Sequence, residues 1–305
     1  MLRRRLAHIR NALAASPLAY IPGHYYSPIC EPREIRKWYR DPEACDREVS
    51  LPGIELRRQH QIDRLLGWRK YFPMQFPEYR TAPWRYYHGD DNGMYLLGDA
   101  ICLYCLIRDL KPKRYVEIGS GFSSACVLDT IDRHSLDLTC TFIDPEPQRL
   151  QRLLNPGDDG HVKLLPRQVQ DVPLETFTEL EPGDILLIDS SHVMKTSSDV
   201  ALEIFSILPQ LRPGVFIHFH DIFYPFEYPP EWAIERNYSW NEIYGLRAFL
   251  MYNSKFRIEF WNDYLVKTST KTVADLAPDM IRHSGGSIWL SVQEAAGEID
   301  TGMPA

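Results

Sequence analysis

Beyond residue 112 the chain alternates short apolar runs with amphipathic ones. Residues 114–118, 138–143, 161–165, 184–188 and 215–219 read as strands, and so do 256–261 and 287–292. Residues 122–133, 199–211 and 240–252 read as helices; in the second, Ile204, Ile207, Leu208 and Leu211 fall on one stripe. Pro213-Gly214 breaks that helix, and Ser284-Gly285-Gly286 makes a turn. Strands that alternate with helices predict an α/β fold, a Rossmann-like parallel sheet with helices on both faces. Ligands of such sheets bind outside the carboxyl ends of the strands, so the informative residues should sit just after each strand.

The first hundred residues have a different texture. They are rich in aromatics, Pro and Arg, and show helical stretches near 3–15, 55–69 and 94–109 without strand alternation. The expected organisation is an extension of helices and loops over 1–94 that caps the mouth of the sheet, a sheet domain over 95–295, and a flexible tail over 296–305.

Composition changes this picture little. The 305 residues are 44% hydrophobic and 25% charged, which is ordinary for a globular protein. A net charge of -7 disfavours a nucleic-acid partner, and the basic start Arg3-Arg4-Arg5 is too short to reverse that. No apolar run approaches the roughly 20 residues needed to span a bilayer, and His8, Arg10 and Asn11 interrupt any leader-like run. The expectation is a cytoplasmic protein with no membrane partner. Of the cysteines, only Cys102 and Cys105 form a C-x-x-C, and with no second pair they read as small core residues rather than a zinc site.

Candidate chemistry begins after the first strand, in Tyr115-Val116-Glu117-Ile118-Gly119-Ser120-Gly121-Phe122-Ser123-Ser124. The glycines allow a tight turn and close approach to a ligand, and Ser123 and Ser124 suit a helix start. A dinucleotide fingerprint would need glycine where Ser124 stands. Glu117 would repel a pyrophosphate and attract an ammonium or sulfonium ligand.

The segment Glu117-x-Gly119-x-Gly121 resembles the first motif of class I S-adenosylmethionine-dependent methyltransferases. Asp144, at the end of the second strand, stands where nucleoside-binding folds grip ribose hydroxyls. Gln170-Asp171 stands where the family places a residue that contacts adenine. The resemblance therefore implies S-adenosylmethionine as cofactor, with Glu117, Gly119, Ser120, Gly121, Ser123, Asp144, Gln170 and Asp171 around it. Asp99, on the helix before the first strand, is a further candidate to reach it. Glu-Ile-Gly-Ser-Gly-Phe-Ser-Ser, Ile-Asp-Ser-Ser-His and His-x-His-Asp-Ile are similar to a bacterial group assigned to O-methyltransferases of sugars and natural products. That resemblance spans about residues 95–292 and implies the sheet order 3-2-1-4-5-7-6 with the last strand antiparallel.

The fourth strand runs into Asp189-Ser190-Ser191-His192, and the fifth reads Phe216-Ile217-His218-Phe219-His220-Asp221. Adjacent strands would bring Asp189, His192, His220 and Asp221 to one mouth. Histidine with carboxylate suits a divalent metal or a proton-transfer pair. Catechol-type O-methyltransferases hold Mg²⁺ with an Asp after strand four and Asp-Asn after strand five, which implies Asp189, His220 and Asp221 as metal ligands here. Imidazole is a poor Mg²⁺ ligand, so a softer ion such as Mn²⁺, Fe²⁺ or Zn²⁺, or none, fits the departure at His220. The readings left open are a metal site, a metal-free base at His192 or His220 oriented by Asp189 or Asp221, and a structural cluster. His218 reads as a satisfied core histidine.

The segment 224–232 is too Pro-rich for a helix and reads as an aromatic wall or lid beside the mouth. Tyr25, Tyr26, Tyr86 and Tyr87 are candidates to line an acceptor pocket. The function expected is methyl transfer to a hydroxyl or amine of a small molecule. Competing readings are a metal-dependent oxygenase or hydrolase on the same fold, and a non-catalytic nucleoside-binding module. A homodimer is left open.

Overall fold

A computed structural model of the chain describes residues 19–39, 50–71, 85–87 and 92–294. The helix expected near 3–15 and the tail over 296–305 lie outside the described residues. The strands are β1 (Arg114–Ile118), β2 (Thr139–Ile143), β3 (Val162–Leu165), β4 (Ile185–Ile188), β5 (Phe216–Phe219), β6 (Phe256–Trp261) and β7 (Ile288–Val292). They form one sheet in the order β3-β2-β1-β4-β5-β7-β6. β7 runs antiparallel to both neighbours, and the other pairs are parallel. Each strand starts or ends within a residue of its sequence expectation. The reason is visible in β4, where Ile-Leu-Leu-Ile is buried at every position, as a strand covered on both faces requires.

Between β1 and β4 the chain leaves in opposite directions, to β2 on one side and to β5 on the other. That divergence opens a crevice at the carboxyl ends, and it decides where a ligand can enter.

The helices that matter for the site are α1 (Pro32–Trp38), α2 (Arg58–Gly67), α3 (Leu97–Leu110), α4 (Phe122–His134), α5 (Asp199–Leu202) and α6 (Glu242–Leu250). α3 is buried from Gly98 to Ile107, which accounts for Cys102 and Cys105 as free core thiols. The helix expected over 199–211 is not uniform. After α5 the winding loosens to a π-turn over Glu203–Ile207 and tightens over Leu208–Gln210, where Pro209 cannot donate to the ladder. The segment expected to be free of helix carries one wide turn, Glu231–Glu235. Pro229 and Pro230 precede it, where a missing N–H costs nothing. α6 is shorter than 240–252 because Trp240 and Asn241 are held by the loop after β4. No helix among the described residues is long and apolar enough to cross a membrane.

Charge fastens the N-terminal residues to the sheet. Glu259 of β6 takes Arg57 Nη1 at 3.0 Å, His60 Nε2 at 2.6 Å and Arg64 Nη2 at 2.7 Å, and accepts from Ser291 Oγ at 2.7 Å. Buried Arg85 bridges Asp129, Asp132 and Asp158, which seats residues 85–87 against α4. Burial alone would raise the pKa of Glu259. The Ser291 hydroxyl and the Arg64 and His60 charges outweigh burial and lower it from 4.5 to about 2. A carboxyl depressed on folding contributes stability that is present above its unfolded pKa and lost as pH falls towards the folded value. Glu259→Ala is therefore expected to cost about 3 kcal/mol near neutrality and much less near pH 3, checked by urea unfolding at the two pH values.

Candidate active site

The turn after β1 is held by backbone contacts. Gly119 adopts φ +79, and a Cβ there would lie 1.9 Å from the Asp189 carbonyl oxygen. Its N–H donates to Ile143 O at 2.9 Å. Ser120 donates through N and Oγ to Asp144 Oδ2 at 2.9 and 3.1 Å, and Glu146 N donates to Asp144 Oδ1 at 2.8 Å. Asp144 is thus fixed at the end of β2 with acceptor capacity left on both oxygens. These residues open into a cleft of about 540 Å³ lined by Gly119, Asp144, Gln170, Asp189, Ser191 and Lys195, among others.

The expected cofactor set divides. Gly119, Asp144 and Gln170 line the cleft; Ser120 braces it through Asp144. Gly121 begins α4, and a Cβ there would meet only the flexible Arg149 Cδ at 3.0 Å. Ser123 faces inward, donating to Glu117 Oε1 at 2.5 Å alongside Ser124 at 2.9 Å. Glu117 is itself fully buried behind the turn. Burial raises its pKa to about 8 in spite of the two hydroxyls, so it does not present the open carboxylate expected from sequence. Asp171 is exposed and lies outside the lining. Asp99 points elsewhere: it accepts from Asn262 Nδ2 at 2.8 Å, Gly286 N at 3.0 Å, Leu96 N at 3.2 Å and Ser287 Oγ. A wholly buried carboxylate must be compensated, and these donors tie α3 to the start of β7 instead of reaching a cofactor.

Across the cleft, β4 and β5 deliver a second constellation. Donor atoms of Asp189, His192 and Asp221 all lie within 4.8 Å of one another. His192 Nε2 stands 3.5 Å from Asp189 Oδ1 and 3.6 Å from Asp221 Oδ2. Its Nδ1 meets Glu242 Oε2 at 2.8 Å. A carboxylate can only accept, so Nδ1 carries the proton and Nε2 faces the two aspartates. The backbone fixes this pose. His192 (φ +59) accepts from Asn241 N and Glu242 N at 3.0 and 3.1 Å, while the Asn241 amide brackets Met194 N and O. The Trp240 ring packs 4.5 Å from the imidazole.

His220, expected as a metal ligand, is displaced from this set. Its Nε2 lies 3.1 Å from Met94 O and 3.5 Å from Asp221 Oδ1, and the ring packs on Tyr95. Strand alternation sends it to the same face as His218, with the two rings stacked 5.6 Å apart. His218 is buried as expected but is not satisfied: neither ring nitrogen has a partner among the described residues, and the Trp289 ring packs edge-on at 4.7 Å. Burial and the His220 charge hold its pKa well below the usual range, so it is neutral.

Charge sets the remaining titrations. Burial would lower His192, but Asp189 and Glu242 outweigh it and hold the imidazolium well above the ordinary histidine range. Burial likewise opposes His220, whose pKa is nonetheless raised to about 9 by Asp221, Asp189 and Asp99. Asp221 (φ +58) is raised to about 6 by burial, partly offset by the two histidines. Asp189 is lowered, because those histidines outweigh its burial.

Sequence reasoning missed Glu242 and Glu203. Glu203 is fully buried in the π-turn, with Oε2 accepting from Ser190 Oγ at 3.0 Å; burial and the Glu242 charge push its pKa well up. The available signal was acid in an apolar phase, Glu203 beside Ile204 and Ile207, and Glu242 beside Ile243 and Leu246. Tyr25 and Tyr26 are exposed; Tyr86 is buried with its hydroxyl on Tyr95 O at 2.8 Å, and the Tyr87 side chain lies outside the described residues. None of the three described tyrosines lines the cleft.

A family model described as a methyltransferase domain matches residues 116–222. That span holds Gly119, Asp144, Asp189, His192 and Asp221 and stops short of Glu242. An uncharacterized protein of Archaeoglobus fulgidus is 30% identical over 171 residues, covering 54% of this chain and 75% of that protein. Among solved structures, the SAH-bound Podospora anserina methyltransferase PaMTH1 is 13% identical over 91% of this chain and 100% of its own, with a TM-score of 0.42. The O-methyltransferase TomG from Streptomyces achromogenes, involved in tomaymycin synthesis and solved in complex with SAM, is 14% identical over 79% of this chain and 100% of its own, with a TM-score of 0.44.

The two motif glycines are not equivalent. Gly119→Ala drives a Cβ into backbone at positive φ, and is expected to lower unfolding free energy by at least about 2 kcal/mol. Gly121→Ala meets only a movable side chain and should cost within about 1 kcal/mol. Equal losses in chemical denaturation would contradict this account of the turn.

Proposed function

We propose that this chain, which matches a methyltransferase domain over residues 116–222 and carries the sheet order implied for class I S-adenosylmethionine-dependent methyltransferases, methylates a hydroxyl of a small molecule, with a divalent metal held by Asp189, His192 and Asp221. The observation that carries this reading is the position of Asp189. It lines the cleft beside Gly119 and Asp144, and it also belongs to the Asp189–His192–Asp221 cluster. Cofactor and acceptor would therefore meet across one residue.

In this reading Asp144 accepts the ribose hydroxyls and Gln170 borders the adenine, with the glycine turn allowing the nucleoside to lie against the backbone. Residues 19–39 reach the wall formed by 227–244, through Cys30 N on Ser239 Oγ at 3.2 Å and Tyr39 Oη on Tyr228 O at 2.8 Å. They act as part of a cap that excludes water from the mouth. Alignment and desolvation of the in-line attack are the main contributions of such a site.

The donor set fits a cation. Two carboxylates and one imidazole nitrogen suit Mn²⁺, Fe²⁺ or Zn²⁺ better than Mg²⁺. Glu242 behind His192 is the outer carboxylate that orients a metal-binding histidine. A divalent ion bound there lowers the pKa of an acceptor hydroxyl. A metal-free base is less well supported. Either role requires His192 to release the proton that Asp189 and Glu242 hold on it, and the two aspartates beside it with Glu242 behind it match a metal's ligand set more closely than a lone base's.

Calorimetry of the full chain with S-adenosylhomocysteine tests the cofactor half. Binding is expected, weakened at least about tenfold in Asp144→Ala; no binding by the parent chain would sink the proposal. Mn²⁺ titration tests the metal half. Affinity should fall as pH drops towards about 6, since His192, held well above the ordinary histidine range, and Asp221, raised to about 6, must lose protons to bind, and Asp221→Asn should abolish tight binding. Mn²⁺ affinity indifferent to both pH and Asp221→Asn would remove the metal from the scheme.

A further inference from the structure

A second cavity, of about 280 Å³, lies between α1, the loop over 224–240 and α6. Its walls are aromatic: Trp38, Tyr39, Tyr228, Tyr238, Trp240 and Tyr244. Among the described residues that line it, Glu227 is the one with a charged side chain. Glu227 Oε2 accepts from Tyr244 Oη at 2.9 Å and stands 3.5 Å from Tyr39 Oη, so the carboxylate is held in place with acceptor capacity to spare. Trp240 joins the cavity to the reacting mouth. One face of its surroundings is the His192 ring at 4.5 Å, another the stacked Tyr238 ring at 4.4 Å. Trp38 at the rim is 75% exposed.

From these features the geometry points to an acceptor subsite that takes a protonated amine on a cyclic or aliphatic body, with the ammonium on Glu227 and the body between the aromatic rings. The inference rests on the methyltransferase reading above and adds the class of acceptor. Three physical reasons select it. Aromatic faces attract a cation, and more strongly where water is thinned. A half-buried carboxylate with no basic neighbour among the described residues of its lining is completed by an ammonium donor. Among the described residues the cavity lining offers a carboxylate and no cationic side chain, so an anionic group would meet Glu227 unshielded. The amine serves as a handle here, remote from the hydroxyl that accepts the methyl group.

Ligand-observed NMR titration of the full chain, in the presence of S-adenosylhomocysteine, uses cyclohexylammonium and cyclohexanol as probes. The expected result is a preference of about tenfold for the ammonium, lost in Glu227→Gln and kept in Glu231→Gln, which removes an exposed carboxylate outside the cavity lining. Circular dichroism checks that each variant folds. Equal affinity for the two probes, or a preference that survives Glu227→Gln, overturns the subsite. S-adenosylhomocysteine affinity is read separately. If the cofactor analogue binds and the preference is missing, the subsite alone fails; if the preference holds without cofactor binding, the methyltransferase reading fails alone.

Discussion

The Glu242 carboxylate and the His192 imidazole meet at 2.8 Å with almost no access to water. A buried charge needs a partner, and this one has no other: Glu242 Oε1 meets nothing among the described residues. The bond therefore fixes the imidazole rotation, and with it the direction of Nε2. The rest of the mouth follows from that direction. Asp189 and Asp221 come from different strands, and each is useful only if a third donor arrives between them. The loop after β4 must turn back through a positive φ at His192 to supply it, and the Asn241 clamp on Met194 holds the loop in that turn.

The local charge balance gives the site its chemistry. Around two histidines stand Asp189, Asp221, Glu242 and Asp99, with Glu203 buried below Ser190. The molecule handles this excess by keeping protons: on His192, on His220, and on Glu203. A site in which every basic nitrogen at the mouth is already protonated cannot begin by accepting another proton. In the proposed reading it would exchange protons for a divalent cation, and the exchange would become more favourable as pH rises.

Much of this was legible in the chain. Strand boundaries came through because β4 is apolar and buried at every position and β1 and β5 are buried at all but their first residue. The positions of Gly119 and Asp144 at the cleft were legible because they follow strand ends, which sequence position encodes directly. The histidines were assigned less well. His192 and His220 look alike in sequence, and only the hand of the turn after β4 determines which one reaches Asp189. Asp99 and Glu117 were misjudged for one reason: an acidic residue near a motif is indistinguishable from one that is buried to fasten a helix. Glu242 lay hidden in the phase of an ordinary amphipathic helix, because its partner is far away along the chain.

Asp189 explains why these separate readings belong to one site. Its carbonyl oxygen sits where a Cβ on residue 119 would have to go, so the glycine turn closes against β4 only when residue 119 has no side chain. Its carboxylate, on the same residue, faces His192. Pushing the turn away would move the cleft floor and the His192–Asp221 cluster relative to each other. In the proposed reading, the spacing between a cofactor at Gly119 and an acceptor at Asp221 would therefore be set by backbone contact across β1 and β4. In-line transfer tolerates little error in that spacing. A fold that places both halves of the site on one strand end satisfies the requirement without relying on the loops that carry the aromatic wall.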